Sequence, residues 1–199
     1  IVFPDVVEDV ASNTTSDFQV SFTPKDNVTA AEHLFTITAT SQGNTSRIDS
    51  SVVGITLNQY YGLKLVMPLD FQKVFPGNTL FYPVKIINEG NGEDTFDLYT
   101  SSDWGAQTRV DGSPSGEVSL AAFRSIDAEL KIVVPETVSV NDFKEIPFTA
   151  ISQGDSSISI SKISNTSIGI MRAENAVRGI LPGESSFFNF EFMNPTNSS

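Results

Sequence analysis

The sequence repeats itself, and the repeat length fixes the size of the folding unit. Phe75-Pro-Gly-Asn78, an alternating stretch and Asn88-Glu-Gly-Asn91 recur 106 residues later as Leu181-Pro-Gly-Glu184, an alternating stretch and Asn194-Pro-Thr-Asn197. Separately, Phe35-Thr-Ile-Thr-Ala-Thr-Ser-Gln-Gly43 recurs 111 residues later as Ile146-Pro-Phe-Thr-Ala-Ile-Ser-Gln-Gly154, and Pro24 matches Pro135 at that same spacing. Such a period is one β-sandwich domain. One copy is complete, residues 61–170. Residues 1–60 read as the second half of a module. Residues 171–199 read as the first strands of a further module, or as a segment completing a neighbouring subunit.

The local pattern agrees with strands. Leu80, Tyr82, Val84 and Ile86 alternate with polar or differently facing residues, and so do Ile126, Ala128, Leu130, Ile132 and Val134. Phe18, Val20 and Phe22 make a third set, and Phe188, Phe190 and Phe192 a fourth. A period of two places each set on one face of a strand, and turn residues bound every run. The strand before Pro24 slips by one residue against the one before Pro135, which suggests a bulge. Thr29–Leu34 and Ala173–Arg178 carry brief helix-like patterns and are read as loops. The expected fold class is all-β, tandem immunoglobulin-like antiparallel β-sandwich modules. Tyr82, Val84, Ile86, Phe96, Leu98, Leu130, Ile132 and Phe148 are the expected core of the complete module.

A Pro-Gly turn, a strand running into Asn88-x-Gly-Asn91, then Asp94-Thr-Phe96, Trp104, an alternating strand into Pro135 and a Phe-Thr-Ala strand into Ser-Gln-Gly154 form a recognisable order. In that order the chain resembles the NEW-type immunoglobulin-like module associated with α-galactosidases, which is similar to repeats of archaeal and bacterial surface-layer and cell-surface proteins. The chain departs from the family pattern at Ala122-Phe-Arg124, where the family has Pro-Gly. The resemblance implies stalks, spacers and surface coats, and does not imply catalysis.

Charge narrows the partners. Twelve Lys and Arg against 24 Asp and Glu give a net charge of −12. Such a surface repels phosphate backbones and anionic lipid, so nucleic acid is not an expected partner. No run approaches the ~18 apolar residues of a membrane span. No cysteine is present, which removes disulfides and thiolate metal sites. The start at Ile1-Val-Phe-Pro-Asp5, without initiator Met or basic leader, reads as a trimmed chain.

Few residues offer chemistry. His33 is the single histidine, and its counterpart at the 111 spacing is Lys144, so it reads as an ordinary loop residue. Glu89, Glu93 and Asp94 cluster with Asn88 and Asn91, as calcium ligands do, yet without a twelve-residue calcium-loop spacing. Turn chemistry explains the same residues, so calcium is the weaker reading and no cofactor is expected. Trp104 reads as a core plug rather than a sugar-stacking platform. Five N-x-Ser/Thr sequons, at Asn13, Asn27, Asn44, Asn165 and Asn197, fall in segments read as turns or strand ends and are the candidate glycan sites.

The expected function is a structural, extracellular, cell-surface glycoprotein built of stacked repeats: a surface layer, sheath or stalk. Its partners are then neighbouring modules, copies of itself, or glycans. The alternatives are an accessory or glycan-binding module of a secreted carbohydrate-active enzyme, and a filament subunit assembling by strand complementation. None of the three makes the chain itself an enzyme.

Overall fold

A computed structural model describes residues 10–11, 13–174 and 181–192. The described residues are all-β. Two long strands, β1 (Ala31–Thr40) and β2 (Ile48–Leu57), form an antiparallel hairpin that is a sheet of its own. Then follow β3 (Leu63–Val66), β4 (Phe71–Val74), β5 (Thr79–Asn88), β6 (Asp94–Tyr99), β7 (Gly105–Val110), β8 (Ser113–Pro114), β9 (Glu117–Leu120), β10 (Ser125–Val133), β11 (Phe143–Ser152) and β12 (Ser159–Ile168). These ten make two five-stranded sheets, ordered β3-β5-β10-β7-β8 and β4-β12-β11-β6-β9. Finally β13 (Met171–Glu174) and β14 (Asn189–Phe192) pair as a second two-stranded sheet.

Alternation in sequence becomes an immunoglobulin-like sandwich because both sheets turn one face inward. All eight expected core residues are buried, and Tyr82, Ile86, Phe96, Leu130, Ile132 and Phe148 are fully so. Trp104 closes the same core with 7% of its surface exposed. Each fully buried large side chain contributes roughly 1.5–3 kcal/mol, so the drive to fold is concentrated in these two faces. In β5 the partners of the core face point outward: Phe81 is 43% exposed while Tyr82 is 0%.

Several expectations need correction. The sandwich is not wholly antiparallel, since β4 runs parallel to β12. After β3 the chain crosses at Met67-Pro68-Leu69-Asp70 to the opposite sheet without reversing. Pro68 has no N–H to continue the first ladder. Thr29–Leu34 is not a loop from Ala31 onward, because Ala31, Glu32, His33 and Leu34 pair with Leu57, Thr56, Ile55 and Gly54. Here the ladder overrides the helix preference of Ala, Glu and Leu. Ala173 and Glu174 likewise lie in β13, and 175–178 lie outside the described residues. The run Phe18, Val20, Phe22 makes only an isolated bridge at Ser21.

The two repeat spacings reappear in the pairing. In β1–β2, Phe35 pairs with Val53, and in β11–β12, Ile146 pairs with Ser164. Adding 111 to every pair of the first hairpin gives pairs in the register of the second. In β3–β5, Leu65 pairs with Ile86, and in β13–β14, Met171 pairs with Phe192, which is the same relation at a spacing of 106.

Candidate functional site

The acidic cluster beside β5 is built into the fold as a turn. Asn88 is fully buried at the end of β5. Its Nδ2 donates to the carbonyls of Gly92 at 2.9 Å, Leu120 at 2.9 Å and Ala121 at 3.2 Å, and its Oδ1 accepts from Gly90 N–H at 2.8 Å. Asp94 is buried at 4% exposure, with one oxygen accepting from Ser152 Oγ at 2.6 Å and the other from Gly154 N–H at 3.2 Å. Glu89 points to solvent opposite Lys64 at 3.9 Å. Glu93 receives the Gln59 amide on its backbone carbonyl at 2.8 Å. The cluster is thus brought together in sequence, while both Asp94 oxygens are engaged within the protein. Among the described residues no group of three or more His, Asp or Glu side chains is placed to hold a metal ion.

Asn91 ties the turn to the incoming chain. Its Oδ1 accepts from Tyr60 N–H at 2.7 Å, its Nδ2 donates to Asn58 O at 3.1 Å, and its own carbonyl accepts from Ala30 N–H at 2.8 Å. The β1–β2 hairpin is therefore attached at the Asn91 end of the sandwich. At the other end, Gly169 N–H donates to Val74 O at 3.0 Å just before β13 begins.

Other titratable groups have local structural partners. Lys144 hydrogen-bonds Asp103 and holds its carboxyl below the ordinary range. Asp155 is lowered by the hydroxyl and backbone N–H of Ser157, a turn of the chain's own making. Burial pushes the Tyr82 phenol up, against the opposing effect of its Thr166 hydrogen bond. His33 lies half-buried in β1, with Nε2 3.1 Å from Thr29 O. A shallow depression of about 540 Å³ is lined by Phe81, Pro83, Asp111, Asp127 and Glu129. Its carboxylates are partly engaged: Glu129 takes Arg109 Nη1 at 2.7 Å and Asp127 faces Lys85 at 3.8 Å. Trp104, 7% exposed, presents no flat stacking surface.

Three sequons, Asn13, Asn27 and Asn44, are exposed outside the strands. Asn165 differs from expectation. It lies inside β12 rather than at a turn or strand end, half-buried, opposite Glu145 and beside Phe71, and its Nδ2 reaches Asp70 O at 3.3 Å. Asn197 lies outside the described residues.

The least expected feature is a half-built core. Phe35, Ile37, Val53, Ile55 and Leu57 share one face of the β1–β2 hairpin and are only half-buried. Phe22 covers part of it, its ring 4.8 Å from that of Phe35. Their counterparts in the sandwich, Ile146, Phe148, Ser164, Thr166 and Ile168, are all buried. Alternation of Val53, Ile55 and Leu57 is visible in the sequence and would have marked this face. On β14, Phe190 is 54% and Phe192 70% exposed.

No protein family and no curated protein matches the sequence. Among solved structures, the chain is similar to a family 123 glycoside hydrolase from Clostridium perfringens at 8% identity and a TM-score of 0.43. That likeness covers 54% of this chain and 27% of the hydrolase, so the chain spans about a quarter of that protein. An ASH/PapD-like domain from a human protein matches at 10% identity and a TM-score of 0.34, over 54% of this chain and 83% of the domain. The major pilin subunit of Bacillus cereus matches at 10% identity and a TM-score of 0.30, over 78% of this chain and 60% of the pilin. These are distant likenesses of β-architecture, and no function is taken from them. Among the described residues, no helix is long and apolar enough to cross a membrane.

Proposed function

We propose that the chain is a structural module of an extracellular, cell-surface assembly, built from stacked immunoglobulin-like repeats and carrying no turnover of its own. One observation supports this reading above the others. The β1–β2 and β11–β12 hairpins share one pairing register at a spacing of 111, and β3–β5 and β13–β14 share one at 106. Structural repeats along one chain stack so that each contacts only its neighbours, which suits an extended assembly. Asn91, accepting from Tyr60 N–H and donating to Asn58 O, ties the linker to the sandwich where the two units join. The polar side chains that a catalytic reading needs are instead engaged in turns, as at Asn88 and Asp94.

A panel of glycoside, ester and peptide hydrolysis assays on the purified chain tests the reading. The expected result is no turnover. Turnover abolished by changing one or two carboxylates overturns it. An acidic surface with a net charge of −12 suits such a role by keeping densely arrayed modules soluble.

A further inference from the structure

We infer that the half-covered face of the β1–β2 hairpin receives the β13–β14 strand pair of a second copy of this chain, so that copies join head to tail. The inference rests on the stacked-module reading and names the partner.

The sandwich supplies the template. There β5 pairs with β10, and the β3–β5 side of one sheet covers β11–β12 of the other, with the Tyr82 hydroxyl 2.9 Å from Thr166 Oγ1. At the 111 spacing the hairpin β1–β2 stands for β11–β12, and residues 14–22 stand for β10. At the 106 spacing β13–β14 stand for β3 and part of β5. Segments 14–57 and 171–192 therefore correspond to strands that face each other across the sandwich core. Residues 14–22 make only an isolated bridge at Ser21. The strand that pairs with β10 in the template is β5, which β14 represents, so β14 also fits this backbone edge by strand addition.

The side chains match across the proposed contact. Tyr82 and Thr166 form a hydroxyl pair inside the sandwich. Their counterparts are Phe188 and Ile55, so both hydroxyls are gone together. A Phe over a Thr would leave the buried Thr hydroxyl without the phenol it meets in the sandwich, an unfavourable combination that the joint change avoids. Likewise Ser164, whose Oγ donates to Ile146 O at 2.9 Å, is replaced by Val53. The hairpin face and the β14 face are thus apolar in register with each other.

The two faces do not meet within one copy. The hairpin is tied at Asn91, just beyond the end of β5, and β13 departs from Gly169 beside Val74, just before β5 begins. β5 has ten residues, which separates these points by about 33 Å. A contact between two different surfaces at opposite ends of a molecule is heterologous, and it propagates as an open filament unless the rotation closes a ring.

Sedimentation velocity and negative-stain imaging across a concentration series, on the full chain and on Ile55→Glu and Phe190→Glu, test the inference. Both positions lie outside the sandwich core, and the near-ultraviolet signal of buried Trp104 verifies that each variant retains it. The wild type is expected to gain mass with concentration and form rings or threads, and each variant alone is expected to stay monomeric. An equimolar mixture of the two variants is expected to stop at dimers, because one keeps an intact β14 and the other an intact hairpin face. A wild type that stays monomeric throughout, variants that assemble like the wild type, or a closed dimer insensitive to both changes would each overturn the inference. Failure here leaves the absence of turnover untouched, and turnover in the hydrolysis panel would remove the module reading whatever the assembly.

Discussion

The phenol of Tyr82 crosses between the two sheets and meets Thr166 Oγ1 at 2.9 Å and the carbonyl of Asn165 at 2.7 Å. A hydrogen-bonded hydroxyl in a buried position makes the folded state sensitive to alkali. Burial raises the Tyr82 pKa above its ordinary 10.0, so the native state holds this proton more tightly than the unfolded chain. Its contribution is fully present below pH 10 and falls as pH rises through the folded pKa. Thermal unfolding of the wild type and Tyr82→Phe between pH 8 and about 11.5 should show the wild type losing stability more steeply at the alkaline end. Below pH 9 the variant should be destabilised by about 1–2 kcal/mol, since Thr166 loses a partner. Parallel alkaline limbs would contradict the assignment.

Phe123 has φ of 59°, a left-handed conformation that costs an L-residue about 1–2 kcal/mol. The turn Ala121–Arg124, closed by Arg124 N–H to Ala121 O at 3.2 Å, matches Phe75–Asn78 and Leu181–Glu184 in its closing bond. In those two turns the third residue is Gly77 with φ of 78° and Gly183 with φ of 90°. Phe123→Gly should therefore be more stable than Phe123→Ala, which also lacks the 39%-exposed ring, by about 0.5–1 kcal/mol, after the entropy that glycine gives the unfolded state. Gly77→Ala should correspondingly destabilise the chain. Urea midpoints of the three variants check both signs.

The strands of the sandwich were legible because alternation at positions such as Leu80, Tyr82, Val84 and Ile86 reports a local property, the face of a pleated strand. The existence of two spacings was legible too, although their cause was not. Leu57 precedes Leu65 by eight residues, whereas Ile168 precedes Met171, the counterpart of Leu65, by three. The five residues lost in that second link convert 111 into 106. Features set by distant partners were hidden. Glu32 and His33 look helical in isolation and become strand through Thr56 and Ile55. The crossing at Pro68 depends on which sheet edge is vacant beside β12. Asn165 reads as a turn residue from its Asn-Thr-Ser context, and only the β11 and β4 ladders place it inside a sheet.

That placement separates the sequons. Asn13, Asn27 and Asn44 are exposed outside the strands, while Asn165 is half-buried, with its Nδ2 directed at Asp70 O. A glycan on Asn165 would replace that hydrogen bond and crowd the β4–β12 pair. Glycopeptide mapping of material expressed in a glycosylating host should find Asn13, Asn27 and Asn44 occupied, and Asn165 bare or occupied in a minor fraction. Full occupancy at Asn165 with an unchanged melting temperature would contradict the β4–β12 edge.

Asn91 should control how firmly the first hairpin is held to the sandwich. It is 1% exposed, and its side chain bonds Tyr60 N–H at 2.7 Å and Asn58 O at 3.1 Å. Asn91→Ala removes both bonds, while Asn91 N–H to Tyr60 O at 3.2 Å and Ala30 N–H to Asn91 O at 2.8 Å are backbone bonds that the substitution leaves available. Two part-buried groups on the exposed linker, Tyr60 N–H and Asn58 O, then lose their partner, and water reaching the linker offsets part of the roughly 1–3 kcal/mol that a fully buried group would cost. The loss should fall on the linker rather than on the distant core, because local openings follow local contacts. Amide exchange at Tyr60 should therefore accelerate by about ten-fold or more, since each 1.4 kcal/mol corresponds to a factor of ten. Exchange in β10 and β11, whose Leu130 and Phe148 are fully buried, should change much less. Proteolysis should cut first between residues 57 and 63, releasing the hairpin from an intact sandwich. Equal acceleration across linker and core would mean that hairpin and sandwich open as one unit, and that Asn91 is part of a single cooperative fold rather than a joint between two.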